Sequence, residues 1–263
     1  MKVAVLMGSP RKKDSFAICK QIEQSFPSDC QVEFEYIFIK NYNIEECKGC
    51  DQCFMKSESA CPCKDELPLI KDKLVQADGI IFASPVYACQ ITGTMKKLID
   101  RLSYLFHRQE LVGKPALTLV TTMGGGQKPT GQYLKMTACG WGCHLVGEIS
   151  IISSMYFQGT NSWGYSEKYY NIQKAKIQKT ALRFQQALLR DTPPVPSFYD
   201  IYMFQGLRSK TFDSKADFDF WEERGWLNSN YFYDVPLSPV KLVWGRILRA
   251  VIDSMVKRYM EQR

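Results

Sequence analysis

The sequence predicts an α/β fold: a doubly wound, five-stranded parallel sheet with a helical carboxyl-terminal extension. Three observations carry that expectation. Five short apolar runs rich in β-branched residues recur between residues 2 and 152. Segments of helical periodicity separate them, and strands alternating with helices imply a parallel sheet covered on both faces. A proline cluster, TPPVPS at 192–197, then introduces a tail of different composition.

KVAVLM (2–7) is continuously apolar and reads as a buried strand. A helix is expected over 15–26. QVEFEYIFI (31–39) alternates in its first half and reads as the second strand. A long link follows, from about 40 to 63, before a helix over 65–76. Connections in such folds usually run roughly 2–6 residues, and longer ones without structure of their own tend to be functional. GIIFASPV (79–86) is the third strand. In the next helix, 92–106, Met95, Leu98, Ile99, Leu102 and Leu105 share one face, with Lys96, Lys97 and Arg101 largely elsewhere. PALTLVTT (115–122) is the fourth strand and HLVGEISII (144–152) the fifth, with helices over 130–140 and 167–190. Five βα units suggest flavodoxin-like strand order. The first domain is expected to span 1–191, with a cysteine-rich insert at 40–63. Residues 192–263 form an aromatic-rich, mainly helical extension.

Composition narrows the function. Of 263 residues, 45% are hydrophobic, enough for one sizeable core and an appendage. Thirty-four basic against 27 acidic residues give a net charge of +7, which suits anionic ligands such as phosphates and does not argue for nucleic acid. The start, MKVAVLMGSPRKK, lacks the apolar length and small-residue site of a secretory signal. No apolar run is long enough for a membrane span. A cytoplasmic setting with reduced thiols is therefore expected, where clustered cysteines point to metal or redox chemistry.

Three loops at carboxyl ends of strands carry ligand-binding character, which is where open α/β sheets bind ligands. GSPRKKDSF (8–16) aims backbone N–H groups and a positive helix end at one point, with Ser9, Arg11 and Ser15 as further donors and Lys12 and Lys13 nearby. It is neither a dinucleotide fingerprint nor a Walker loop. SPVYACQITGTMKKLIDR (84–101) supplies a stiff turn at Pro85 and a flat ring at Tyr87. TTMGGGQ (121–127) has three consecutive glycines, which allow close backbone approach to a flat ligand.

Those three motifs, in that order and spacing, resemble the flavin loops of the NADPH-dependent FMN reductase and flavodoxin-like oxidoreductase superfamily, most of all its iron–sulfur flavoprotein branch. The resemblance covers about residues 1–190 and implies non-covalent FMN. Carried over, it implies that Ser9, Arg11, Ser15 and Phe16 surround the FMN phosphate. Pro85, Val86, Tyr87 and Ala88 would line the isoalloxazine ring, and Thr122, Gly124, Gly125 and Gly126 would close the third loop against it. Where the family loop usually ends Gly-Asn-Thr, this chain has Asp14-Ser15-Phe16. Position 16 thus lacks a hydroxyl and would serve through its N–H.

Cys47, Cys50 and Cys53 keep the C-x₂-C-x₂-C spacing that wraps three corners of a cubane cluster, and Cys61 and Cys63 both follow within reach of the fourth. Zinc and a Cys47–Cys50 redox disulfide are alternatives, as is a cluster-free chain of the same superfamily. The resemblance implies a 4Fe–4S cluster on Cys47, Cys50, Cys53 and Cys61, because Cys61 falls where the family's last cysteine falls. Cys19, Cys30, Cys89, Cys139 and Cys143 read as packing residues, though Cys89 stands in a flavin loop. His107 and His144 read as structural, and no hydrolytic constellation is present.

The last helix, from Val240, spaces Leu242, Val243, Ile247, Leu248, Val251, Ile252 and Met255 helically among Lys241, Arg246, Arg249, Lys257, Arg258 and Arg263. It is expected to pack on its own sheet or on another subunit, with an anionic membrane surface as the alternative. The expected function is FMN-dependent electron transfer from NAD(P)H or a reduced ferredoxin-like donor, through FMN and a 4Fe–4S cluster, to an unidentified acceptor. The alternatives are a non-enzymatic electron carrier or a cluster-free flavin-binding protein. No side chain need act as general acid or base, and a homo-oligomer is expected from fold relatives.

Overall fold

A computed structural model describes residues 1–27, 30–158 and 164–262. Its centre is a five-stranded, all-parallel sheet of order β2-β1-β3-β4-β5, with β1 at Lys2–Met7, β2 at Glu33–Phe38, β3 at Gly79–Pro85, β4 at Pro115–Thr122 and β5 at His144–Ile152. Strand order reverses between β1 and β3, so a crevice opens at their carboxyl ends. The sheet is flavodoxin-like, as the run of βα units predicts.

Continuous apolar strands require cover on both faces, and the helices supply it. On one face α1 (Asp14–Gln24) and α7 (Glu167–Leu188) bury Val3, Val5, Ile18, Ile22, Ile81, Leu119, Ile177 and Phe184. On the other, α3 (Leu67–Gln76), α4 (Gly93–Arg101) and α5 (Gln127–Gly140) bury Leu6, Ile70, Leu74, Phe82, Met95, Leu98, Leu134 and Trp141. The helix expected over 92–106 stops at Arg101 and continues as a 3₁₀ turn, Ser103–Phe106. The link after β2 is mostly irregular, with only a short helix α2 (Gln52–Met55) and two 3₁₀ turns. A further short helix, α6 (Ser153–Tyr156), follows β5.

The proline cluster at 192–197 has no regular structure and leads into a capping box, in which Ser197 and Asp200 satisfy each other's backbone N–H groups and start α8 (Phe198–Arg208). The extension continues through α9 (Lys215–Glu223) to α10 (Pro239–Glu261). Its own core is aromatic: Phe204, Trp221, Trp226, Tyr231 and Phe232, with Phe106 and Val112 of the first domain packed against it. Asp217, fully buried, pairs with Arg108 (2.5 Å) and His107 (2.7 Å), and Trp221 Nε1 donates to the His107 carbonyl (2.7 Å). The extension is thus bolted to the segment after α4, and His107 is a structural residue.

α10 packs on α8, where Gly245 sits against Ile201, and not on the sheet. Its opposite face leaves Val240, Val243, Ile247, Val251 and Met255 exposed. Arg263 lies outside the described residues. Among the described residues no helix is long and apolar enough to cross a membrane.

Candidate flavin cleft and cysteine cavity

The crevice at the β1/β3 switch is a cleft of about 490 Å³ lined by Ser9, Arg11, Lys13, Asp14, Ser15, Pro85, Val86, Tyr87, Thr121, Thr122, Met123 and Ser153. Each wall follows from its local sequence. After β1 the chain is pinned by Gly8 N–H donating to the Ala83 carbonyl (2.8 Å) and by Thr92 Oγ1 donating to the Gly8 carbonyl (2.9 Å). A side chain at Gly8 would stand 3.1 Å from Met95 Cβ and Thr92 Oγ1, so glycine here lets the loop lie against α4. Ser9 Oγ donates to the Arg11 carbonyl and accepts from the Arg11 N–H, which curls the loop (2.8 and 3.2 Å). α1 then begins at Asp14, after an N-cap residue, Lys13, that makes no side-chain cap. The first-turn N–H groups of Asp14, Ser15 and Phe16 precede the first intrahelical bond, from the Ala17 N–H to the Lys13 carbonyl, and with the helix dipole behind them they suit an anion.

Ser15 Oγ and Thr121 Oγ1 share a buried hydrogen bond of 2.6 Å, which ties the first loop to the third. Thr121→Val leaves the Ser15 hydroxyl buried without its partner. Its expected effect is a loss of about 1–3 kcal/mol, read from the urea midpoint, with weaker FMN retention.

The second loop turns tightly at Tyr87–Gln90, closed by reciprocal backbone hydrogen bonds (2.8 and 3.0 Å), with Ala88 and Cys89 both at positive φ (46° and 62°). That is the geometry of a turn that normally selects glycine or asparagine, so the conformation is imposed by its surroundings. Tyr87, 43% exposed, lines the cleft and is available to a planar ligand. In the third loop Thr122 Oγ1 donates to the Gly125 carbonyl (2.7 Å) and accepts from the Gly124 N–H (3.2 Å). Gly126 (φ 80°) fits under the second loop: a Cβ there would lie 2.7 Å from Cys89 Cα and Val86 Cγ1.

Of the residues the sequence nominates for flavin, the cleft brings together Ser9, Arg11, Ser15, Pro85, Val86, Tyr87 and Thr122. The Phe16 side chain does not belong to it. Its ring packs on Tyr36 (5.0 Å between centroids) and Phe38 (5.9 Å), because on α1 it faces β2. Ala88, Gly124, Gly125 and Gly126 shape the loops without forming the cleft wall. Lys13 and Asp14 of the first loop also form it, as do Thr121, Met123 and Ser153, which the sequence does not nominate. Thr121 and Ser153 stand at carboxyl ends of strands, the one positional signal that could have found them.

All five cysteines of the link line a second cavity, of about 300 Å³, with Phe54, Leu67, Leu102 and Tyr104 as apolar walls. Cys47 and Cys50 are exposed, Cys53 and Cys61 half-buried and Cys63 buried. The turns are made by Gly49 (φ 59°) and Asp51 (φ 56°). Burial, then the nearby Cys47 and Cys61, pushes the Cys53 thiol up. Cys63 Sγ points at the Glu46 carbonyl (3.7 Å), whereas Cys61 Sγ faces Arg101 Nη2 (3.7 Å). The donor chemistry fits an iron–sulfur cluster. Among the described residues no three Cys, His, Asp or Glu side chains stand gathered at metal-binding spacing.

Two buried arginines hold this loop. Arg101, which the helical pattern puts off the buried face, is only 6% exposed. It pairs with Asp65 and donates to the Glu45 carbonyl (3.0 Å). Burial pushes the Asp65 carboxyl up, but hydrogen bonds from Arg101 and from the Glu45 and Leu67 N–H groups outweigh it and hold the group below the usual carboxylate range. Arg108 donates to the Cys53 carbonyl and to Asp217, and Ser214 Oγ of the extension donates to the Phe54 carbonyl (2.7 Å). The cleft and the cavity lie at opposite ends of α4: Thr92 caps it beside Gly8, and Arg101 ends it beside Cys61. Nine residues of helix span about 13 Å.

The flavodoxin-like sheet recurs in solved structures. RosB superposes with a TM-score of 0.58 at 14% identity, covering 91% of this chain and 92% of that one. An apo NADH:FMN oxidoreductase superposes at 0.52 and 18% identity, covering 73% and 91%. Among curated sequences, an iron–sulfur flavoprotein of Archaeoglobus fulgidus is 29% identical over 239 residues, covering 86% of this chain and all of the relative. One of Clostridioides difficile is 28% identical over 239 residues, covering 86% and 99%. The profile of the NADPH-dependent FMN reductase family matches residues 1–158, which span the whole sheet and all three loops of the cleft. The chain therefore belongs to the NADPH-dependent FMN reductase family and is an FMN-dependent oxidoreductase.

Proposed function

We propose that this protein is an oxidoreductase of the iron–sulfur flavoprotein type, taking electrons from NAD(P)H or a reduced ferredoxin-like donor and delivering them to an external acceptor. The observation that carries the reading is that five cysteines line one cavity at the far end of the helix that starts at the flavin cleft. The names of the similar Archaeoglobus fulgidus and Clostridioides difficile proteins support it. When bound, FMN accepts electrons in pairs and releases them singly, and a 4Fe–4S cluster exchanges single electrons.

The chain's own part is positioning. Arg11 and the first-turn N–H groups of α1 hold the phosphate. Val86 and Tyr87 flank the ring, and the exposed side of Tyr87 leaves room for a planar donor. Thr92, through Gly8 and Met95, fixes the first loop to α4. Cys47, Cys50, Cys53 and Cys61 would hold the cluster. No side chain moves a proton in this scheme.

Arg11→Gln removes the two-pronged phosphate contact and is expected to weaken FMN about tenfold to a hundredfold, from the 1.5–3 kcal/mol typical of hydrogen bonds to charged groups. Flavin fluorescence titration of the refolded apoprotein reads it. Anaerobic stopped-flow absorbance at the flavin band tests the donor. Bleaching by NADH or NADPH supports the nicotinamide route. Bleaching only by reduced ferredoxin moves the donor to a protein, and bleaching by neither contradicts the proposal. A cluster-free reading, in which the cysteines are structural, is favoured by one observation, the ungathered state of the thiols. Iron and sulfide analysis separates the two.

A further inference from the structure

Arg101 stands apart from the other charged residues of α4. Lys96 and Lys97 lie towards solvent, whereas the Arg101 guanidinium is enclosed, with side-chain exposure of 3%, and its partner Asp65 is at 1%. Nη1 serves Asp65 and the Glu45 carbonyl, and Nη2 reaches Asp65 Oδ1 (3.4 Å) and Cys61 Sγ (3.7 Å). The Nε–H is buried and meets no acceptor among the described residues. Arg101 lines the cysteine cavity. A buried donor without an acceptor is uncommon in native proteins and calls for an explanation, such as a group not yet in place. Cys63 donates to the Glu46 carbonyl and lies on the buried side of the same turn, within reach of the Arg101 charge, but the Arg101 hydrogen bond goes to Cys61.

We propose that Arg101, locked by Asp65, is a positioning residue of the cysteine cavity that selects Cys61 over Cys63 as the fourth cluster ligand and raises the potential at which the cluster takes an electron. The inference rests on the cluster reading above. A guanidinium hydrogen-bonded to a ligating sulfur withdraws charge from it, and its positive charge favours the more negative, reduced cluster. Asp65 has the opposite charge and moderates that effect. The two residues therefore pull the potential in opposite directions, which a merely structural ion pair would not do.

The test uses the whole chain, purified anaerobically, with dithionite as reductant and the reduced cluster followed by electron paramagnetic resonance during potentiometric titration. Arg101→Gln is expected to lower the reduced-to-oxidised ratio at a fixed solution potential about tenfold, a shift of about 59 mV for a one-electron couple. Arg101→Lys, which keeps the charge, recovers part of it, and Asp65→Asn shifts the potential upward. Cys61→Ala is expected to lose iron and Cys63→Ala to keep it. Potentials that stay at the wild-type value, or that move the same way in Arg101→Gln and Asp65→Asn, overturn the proposal. Loss of iron in Cys63→Ala with retention in Cys61→Ala does so too. Should Arg101→Gln fail to hold a cluster, Asp65→Asn decides by the sign of its shift. Wild-type protein without iron overturns the cluster reading itself and this inference with it, whereas iron-loaded wild type with unmoved variant potentials overturns the inference alone.

Discussion

Asp217→Ala is expected to lower the unfolding free energy by about 3–5 kcal/mol, the range for removing one partner of a buried ion pair. Asp217 has no solvent exposure, and both its carboxylate oxygens are used: Oδ1 by Arg108 and Oδ2 by His107. Its removal strands the Arg108 guanidinium, which keeps the Cys53 carbonyl, the half-exposed Glu58 at 3.6 Å and the face of the Tyr104 ring. The damage would extend beyond stability. Arg108 and Ser214 hold the backbone at Cys53 and Phe54, so the cysteine loop loses two of its anchors when α9 shifts. Urea unfolding measures the first effect. Amide exchange over residues 47–63 measures the second, with loss of protection there expected before loss in the sheet. Asp217→Asn, which keeps one acceptor, is expected to fall between. A loss below about 1 kcal/mol in Asp217→Ala would mean that the extension does not brace the loop.

Gly126→Ala is expected to lower FMN affinity at least tenfold and to destabilise the fold by about 2–5 kcal/mol. A left-handed backbone costs a non-glycine residue roughly 1–2 kcal/mol, and overpacking typically adds about 1–3 kcal/mol. Here the new methyl would meet Cys89 Cα, a backbone atom that cannot swing aside, at 2.7 Å. Relief requires the third loop to part from the second, and those loops carry Thr122 on one side and Val86 and Tyr87 on the other. Gly124→Ala and Gly125→Ala are the controls, since added methyls there meet nothing within 4 Å. Equal effects at all three positions would show that loop flexibility, not the Gly126 contact, governs binding. Flavin titration and thermal unfolding of the apoproteins read both quantities.

The sheet was legible in the sequence because each strand is a short apolar run closed by a turn residue. The expected ends of β1, β4 and β5 match the structure residue for residue, and β2 is shorter at both ends. Loops at carboxyl ends of strands could be recognised because their positions follow from topology. What escaped was set by contacts between residues far apart in the chain. Phe16 reads as part of the phosphate loop by position, yet its side chain faces β2, a direction fixed by how α1 lies on the sheet. Arg101 and Arg108 carry the sequence signature of surface charges. Their burial depends on Asp65, 36 residues before Arg101, and Asp217, 109 residues after Arg108. The two cysteines competing for the fourth position lie two residues apart, so spacing could not separate them. Their surroundings differ: Arg101 Nη2 donates to Cys61 Sγ and Cys63 Sγ donates to the Glu46 carbonyl, while the Arg101 charge acts on both.

On the proposed reading, a flavin and an iron–sulfur cluster occupy the two ends of α4. Its most direct test is anaerobic purification of the full chain with flavin, iron and acid-labile sulfide quantified on the same sample. About one FMN, four iron and four sulfide per chain are expected. Stoichiometric FMN with zinc or with no metal at all would contradict that reading.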